Sequence, residues 1–219
     1  MSEIIKTTLL GLFFGTFGTT IGGVIGASFK NTSNKFLSFI LEFAAGLMIS
    51  IVCFDLVPEA LELSSMSTTF IGLILGVICM IICDNFVRSI SAINSRNIIQ
   101  KNSLLKTGII VGIGLALHNF PEGLAIGSGF EASYKLGLSL ALAIALHDIP
   151  EGISMAVPMK TGGMKKTKVL LYTFASGITT GIGAFFGAIV GNISQSLISI
   201  CLAFAAGAML YIVSRRINS

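Results

Sequence analysis

The sequence predicts an all-α fold, a polytopic bundle of membrane-spanning helices, and three observations carry that prediction. The chain of 219 residues is 53% hydrophobic and 11% charged, with a mean hydropathy of +0.91; soluble domains carry about 25% charged residues. Its apolar residues gather into seven segments, each long enough for the roughly 20 residues that a crossing helix needs. It also holds 25 glycines and no tryptophan, and small residues are what let spanning helices approach one another closely.

The spans are expected near residues 7–27, 36–61, 70–90, 107–129, 136–158, 169–190 and 197–213. The first apolar run passes signal-peptide length without a small-residue cleavage site, so it reads as a retained helix rather than a leader. Short links rich in Ser, Asn, Gly and Lys join the spans, and residues 1–219 read as a single integral membrane transporter domain. Cys53, Cys79, Cys83 and Cys201 all lie inside apolar segments without CxxC spacing. They read as free thiols packing as small hydrophobes.

Charge placement sets the topology. Of the 14 basic residues, only Lys6 and Lys135 fall on the N-terminal side. The opposite side takes Lys30, Lys35, Arg88, Arg96, Lys101, Lys106, Lys160, Lys165, Lys166, Lys168, Arg215 and Arg216. The positive-inside rule then puts the N-terminus outside and the C-terminus in the cytoplasm of a cell membrane protein. A pI near 9.0 is explained by that asymmetry, and no nucleic-acid partner is called for.

Two repeats are legible. Residues 115–123, ending His118-Asn119-Phe120-Pro121-Glu122-Gly123, recur 29 positions later, ending His147-Asp148-Ile149-Pro150-Glu151-Gly152. Phe43-Ala44-Ala45-Gly46 recurs as Phe204-Ala205-Ala206-Gly207 at an offset of 161, and the stretch from Ile21 to Ala27 matches Ile182 to Ala188 at that same offset. The second offset carries span one onto span six and span two onto span seven. Five crossings separate each pair, so the copies face opposite ways, as inverted transporter repeats do. A copy of span three is expected near residue 231, beyond Ser219.

The chemistry lies in the duplicated hexapeptide, which holds both histidines of the chain. Carboxylates deep in apolar spans cost at least a few kcal/mol and mark function. His118 and Glu122 stand four residues apart on one helical face with Asn119 beside them, and His147, Asp148 and Glu151 repeat the pattern. Two such faces turned together offer nitrogen and oxygen ligands that suit zinc, iron or manganese. Each Glu follows a proline, and a mid-helix proline frees the carbonyl four residues back, that of Leu117 or Leu146. Span two adds Asp55 and Glu59 four residues apart, and Met48, as residues of a metal path; ion pairing to a loop lysine and plain packing are the bland alternatives. Asp84 and Arg88 read as a simple charge pair.

At these residues the chain resembles the ZIP (Zrt/Irt-like) metal transporters, in particular their bacterial zinc-uptake and GufA-type branch. The resemblance rests on the two hexapeptides, with support from residues 54–60 in span two and from Ser176-Gly177-Ile178-Thr179-Thr180-Gly181 in span six. It implies eight helices, a binuclear site between helices four and five, and homodimers. Carried over by position, it implies His118, Asn119, Glu122, His147, Asp148 and Glu151 as ligands, with the two Glu as bridges. Three departures accompany it: Thr180 stands where many members carry Glu, Arg215 and Arg216 stand where acidic residues often follow, and the eighth helix that the resemblance implies is expected to be missing, either lost or never encoded.

The expected function is import of Zn2+, with Fe2+, Mn2+ or Cd2+ as further cargo, into the cytoplasm through the bilayer. A membrane-embedded di-metal hydrolase is the rival reading, since di-metal bundles use Glu-x-x-His pairs; a truncated metal-binding homologue with weak transport, and a passive channel, are the others.

Overall fold

A computed structural model describes residues 3–29, 33–97 and 103–217 of the chain. Lys30 and Lys101 of the charge asymmetry lie outside the described residues, as do the side chains of Arg96 and Arg216. The elements are α1 (Glu3–Gly26), α2 (Asn34–Ile51), a π-helical turn (Val52–Leu56), α3 (Val57–Leu63), α4 (Met66–Asn97), α5 (Ser103–Ala132), α6 (Tyr134–Thr161), α7 (Lys166–Gly191) and α8 (Gln195–Ile217). Among the described residues seven helical spans are long and apolar enough to cross a membrane, and no strand occurs. The seven spans predicted from the sequence match them one for one, with α2, the π turn and α3 forming the second.

Local chemistry accounts for several of the helix ends. The Ser33 hydroxyl accepts from the Phe36 amide at 3.2 Å, and the Ser133 hydroxyl accepts from the Leu136 amide at 3.1 Å. Each satisfies one of the amides that a helix start leaves without a partner. Within the second span the helix widens where Pro58 follows. Proline has no amide to donate and crowds the carbonyl four residues before it, and the Val57 amide reaches back to the Val52 carbonyl instead. By contrast α5 and α6 run unbroken through Pro121 and Pro150.

The helices sort into two groups. α1, α5, α6 and α7 pack most extensively on one another, and α4 pairs with α8, which α3 joins; α2, which leads through the π turn into α3, contacts both α8 and α6. Inside each group, contact is made through small residues. A β-carbon on Gly123 would strike the Thr180 carbonyl, and one on Gly183 would strike the Phe120 carbonyl, so α5 and α7 touch backbone to backbone. In the second group, Gly76 and Gly207 lie in the same way against the carbonyls of Phe204 and Leu73.

Between the groups, bulky side chains meet instead. Ile51, Val52 and Leu56 of span two and Leu202 and Met209 of α8 pack against Ile126 of α5 and Leu140 and Ile144 of α6. The copies predicted at an offset of 161 fall within groups: α1 and α7 belong to the first, span two and α8 to the second.

Candidate metal centre

His118 lies at the middle of α5 and His147 at the middle of α6, and these two helices run side by side. With 3.6 residues per turn, the i, i+4 partners Glu122 and Glu151 project from the same faces. Gly18 and Gly22 of α1 lie against α6 at Ala145, Asp148, Ile149 and Gly152, which holds the hexapeptide of α6 against a flat neighbour. Gly123, inside the other hexapeptide, does the same for α5 against α7.

The result is a cluster in which one ligand atom from each of His118, Glu122, His147 and Glu151 lies within 4.8 Å of all the others. Glu122 Oε1 is 2.7 Å from His147 Nε2, in a hydrogen bond, and 2.7 Å from His118 Nε2. The second contact has ion-pair distance but not hydrogen-bond alignment. His118 Nε2 is 4.0 Å from Glu151 Oε1, and His147 Nε2 is 3.7 Å from Asp148 Oδ1. His118 is 1% exposed and Asn119, Glu122, His147, Asp148 and Glu151 are 0% exposed.

That burial has electrostatic consequences. Three carboxylates (Glu122, Asp148 and Glu151) are withdrawn from water, and no Lys or Arg is buried among the described residues to offset them. An isolated buried charge is costly unless it is paired or coordinates a metal. Both oxygens of Asp148 and Oε2 of Glu122 accept no hydrogen bond. Asn119 donates from Nδ2 to the Ser176 carbonyl at 3.0 Å and the Ser176 hydroxyl at 3.3 Å, which leaves its Oδ1 without a partner. A set of acceptor atoms held ready with no donors to satisfy them is complementary to a cation, and mixed imidazole and carboxylate donors suit zinc and its neighbours.

A cavity of about 550 Å³ begins at His118 and opens toward the C-terminal side, walled by Val111 and Gly114 of α5, Ser154 and Pro158 of α6, Cys83 of α4 and Ile212 of α8. At its mouth Asp84 accepts from Arg88 Nε at 3.1 Å and from the Tyr211 hydroxyl at 3.1 Å, with Arg215 at 3.3 Å. The predicted Asp84–Arg88 pair is therefore present, and Tyr211 and Arg215 extend it to α8. On the other side, the apolar cluster between the groups begins at Ile126, one turn beyond Glu122 on α5, and at Ile144, one turn before His147 on α6.

The remaining predicted residues lie away from the four. Met48 is buried against Ala45 and Val213, in an apolar surrounding. Asp55 is half-buried in the π turn and Glu59 half-buried in α3, and neither makes an ion pair among the described residues. Thr180 is fully buried, facing Gly15, and its hydroxyl has no hydrogen-bond partner. Ser176, the anchor of Asn119, was not singled out as a site residue, although it stands in the span-six motif. The cavity and the role of Cys83 in its wall had no signal in the sequence.

Comparison with known proteins gives one consistent answer. The profile of the family described as ZIP Zinc transporter matches residues 94–217, a stretch that holds both hexapeptides. The zinc transporter ZupT of Clostridium perfringens is 32% identical over 243 residues, which cover 97% of this chain and 85% of that one. ZupT of Corynebacterium glutamicum is 32% identical, covering 93% of this chain and 84% of its own length. ZupT of Escherichia coli O127:H6 is also 32% identical, covering 88% and 77%. Likeness over this much of the chain, centred on helices that carry a buried His/Glu cluster, is likeness of the whole molecule: the chain belongs to the ZIP zinc transporter family.

Proposed function

We propose that this chain carries divalent metal ions, Zn2+ first and Fe2+, Mn2+ or Cd2+ besides, across the cell membrane into the cytoplasm. His118, Asn119, Glu122, His147, Asp148 and Glu151 hold the ion. The observation that carries this reading is a donor cluster at the middle of two spanning helices, without buried cationic side chains among the described residues, with a cavity leading from His118 toward the C-terminal side. The basic residues crowd that side, which supports a cytoplasmic C-terminus and an external N-terminus. The relatives' printed names as zinc transporters support zinc as the main cargo. The family is one of transporters, so the chain is not an enzyme and the hydrolase reading falls.

The two helix groups supply the means of alternating access. The first group carries all six proposed ligands and moves as a unit against α2, α3, α4 and α8, because small-residue contacts knit it internally and side chains that can slide meet at its border. Asp55 and Glu59 stand on the N-terminal-side half of span two, as carboxylates that meet the ion before the centre, and Met48 lies at mid-span. The homodimer implied by the resemblance belongs to the same proposal, with lipid covering the rest of the outer surface.

Uptake of zinc into liposomes holding the purified chain tests the reading. Saturable uptake is expected, lost in Glu122→Ala/Glu151→Ala; uptake at the unsubstituted rate in that double variant would sink the proposal, and flux that does not saturate would replace a carrier with a channel.

A further inference from the structure

Between His118 and its mouth the cavity is walled mainly by hydrocarbon: Leu37 and Leu41 of α2, Val87 of α4, Leu104 and Val111 of α5, and Ile212 of α8. Two hydroxyls stand among them, and both are spent within their own helices. Thr107 donates to the Ser103 carbonyl at 3.0 Å and Ser154 to the Glu151 carbonyl at 2.7 Å. About 550 Å³ of space with such a lining has the size and character of a small-molecule site. Hydrocarbon suits these walls better than water does.

The mouth is of the opposite kind. Arg88 Nε donates to Asp84 Oδ2 at 3.1 Å, the Tyr211 hydroxyl donates to the same oxygen at 3.1 Å, and Arg215 lies 3.3 Å from it. Two guanidinium groups therefore face one carboxylate, which leaves one net positive charge. Each guanidinium carries five N–H donors, and one contact to Asp84 leaves further donors on both of these exposed side chains. Their fork matches the two oxygens of a second carboxylate. An apolar space with a cationic rim is complementary to an amphiphile with an apolar tail and an anionic head. One net charge and one blind space correspond to one head and one chain.

We propose that this cavity binds a long-chain fatty acid, its carboxylate on Arg215 and Arg88 and its chain running inward toward His118. The fatty acid reaches the mouth from the adjoining bilayer. A chain lying in the cavity excludes water and ion from it, so the fatty acid blocks zinc uptake. That blocking rests on the reading of the cavity as the release path; the binding does not.

Equilibrium binding of radiolabelled palmitate to the full-length chain in phosphatidylcholine nanodiscs, measured against empty discs, tests the site. One saturable palmitate per chain is expected. Its affinity should fall at least about tenfold in Arg88→Gln/Arg215→Gln and be lost in Val111→Trp, where the added ring fills the cavity. In Lys165→Gln/Lys168→Gln, which removes two exposed charges outside the cavity, it should stay unchanged. Hexadecanol, without the charge, and octanoate, without the long chain, should fail to compete. Absence of saturable binding, or an equal loss in the two paired variants, overturns the proposal; the exposed arginine pair decides the matter even if Val111→Trp does not fold. In zinc-uptake liposomes, palmitate should slow the unsubstituted chain and spare Arg88→Gln/Arg215→Gln. Saturable binding with uptake unslowed would overturn the blocking and remove the cavity from the release path, while Glu122→Ala/Glu151→Ala tests the metal centre separately.

Discussion

A single oxygen, Glu122 Oε1, lies 2.7 Å from the Nε2 atoms of both His118 and His147. It joins the two helices that the repeat duplicates, and an ion entering the cluster must bind beside it. Glu122→Gln keeps the shape but removes the negative charge, so zinc affinity should fall by more than about 100-fold, beyond the 10- to 100-fold usual when an outer partner of a ligand is lost. Ser176→Ala is such an outer change, and a mild one. It deletes the 3.3 Å contact to Asn119 and leaves the 3.0 Å contact to the backbone carbonyl, so its loss should be about tenfold or less. Competition against a chelator measures both; equal effects would mean that Glu122 is a structural hydrogen-bond partner only. The difference in legibility between these residues has a physical basis. His118 and Glu122 are four apart, and the helical period alone puts them together. Ser176 lies 57 positions from Asn119, and only the packing of α7 on α5, which has no local signature, brings it there.

At the scale of the element, what matters is how closely two helices approach. Gly123 and Gly183 let α5 and α7 touch through their backbones, which seats the Glu122 turn against Thr180. Gly123→Ala should force the helices apart and destabilise the protein by about 1–3 kcal/mol, the usual range for overpacking. Gly114→Ala on the same helix should change little, because a β-carbon there meets nothing within 4 Å and a helical glycine is the poorer helix former. Thermal unfolding of the purified variants compares the two, and equal midpoints would show that the close approach contributes no stability. The spans themselves were legible because membrane thickness dictates their length, and a helix is the local solution that satisfies the backbone inside lipid. The π turn was not. Pro58, Pro121 and Pro150 each precede a glutamate, and the rule for a mid-helix proline treats them alike. The fold does not: Pro121 and Pro150 are buried where α5 and α6 are clamped by neighbours, while Pro58 is half-buried in a span packed mainly on one side. Only there does the backbone have room to widen.

Across the whole molecule, two kinds of contact divide the work. Small residues lock helices inside each group, and larger apolar side chains meet between the groups on the N-terminal side, while a cavity parts the groups on the other. The inverted repeat was readable because similar spans recur at one fixed offset. The direction in which the centre opens was not, since both arrangements satisfy the same sequence pattern and differ only in which half of the border is closed. This structure has the C-terminal side open, and solvent access should follow. With the four native cysteines replaced by serine, Ser154→Cys and Val111→Cys, both in the cavity wall, should react with a membrane-impermeant maleimide applied from the C-terminal side. Leu140→Cys, in the apolar border, should resist from that side. Applied from the N-terminal side, the reagent should modify Ser154→Cys more slowly by at least about tenfold, the factor that a conformational preference of 1.4 kcal/mol supplies. Zinc bound at the centre favours whichever arrangement holds it better, so added zinc should change the two rates in opposite directions. Equal labelling of Ser154→Cys from both sides, with or without zinc, would describe an open pore and leave no place for groups that alternate.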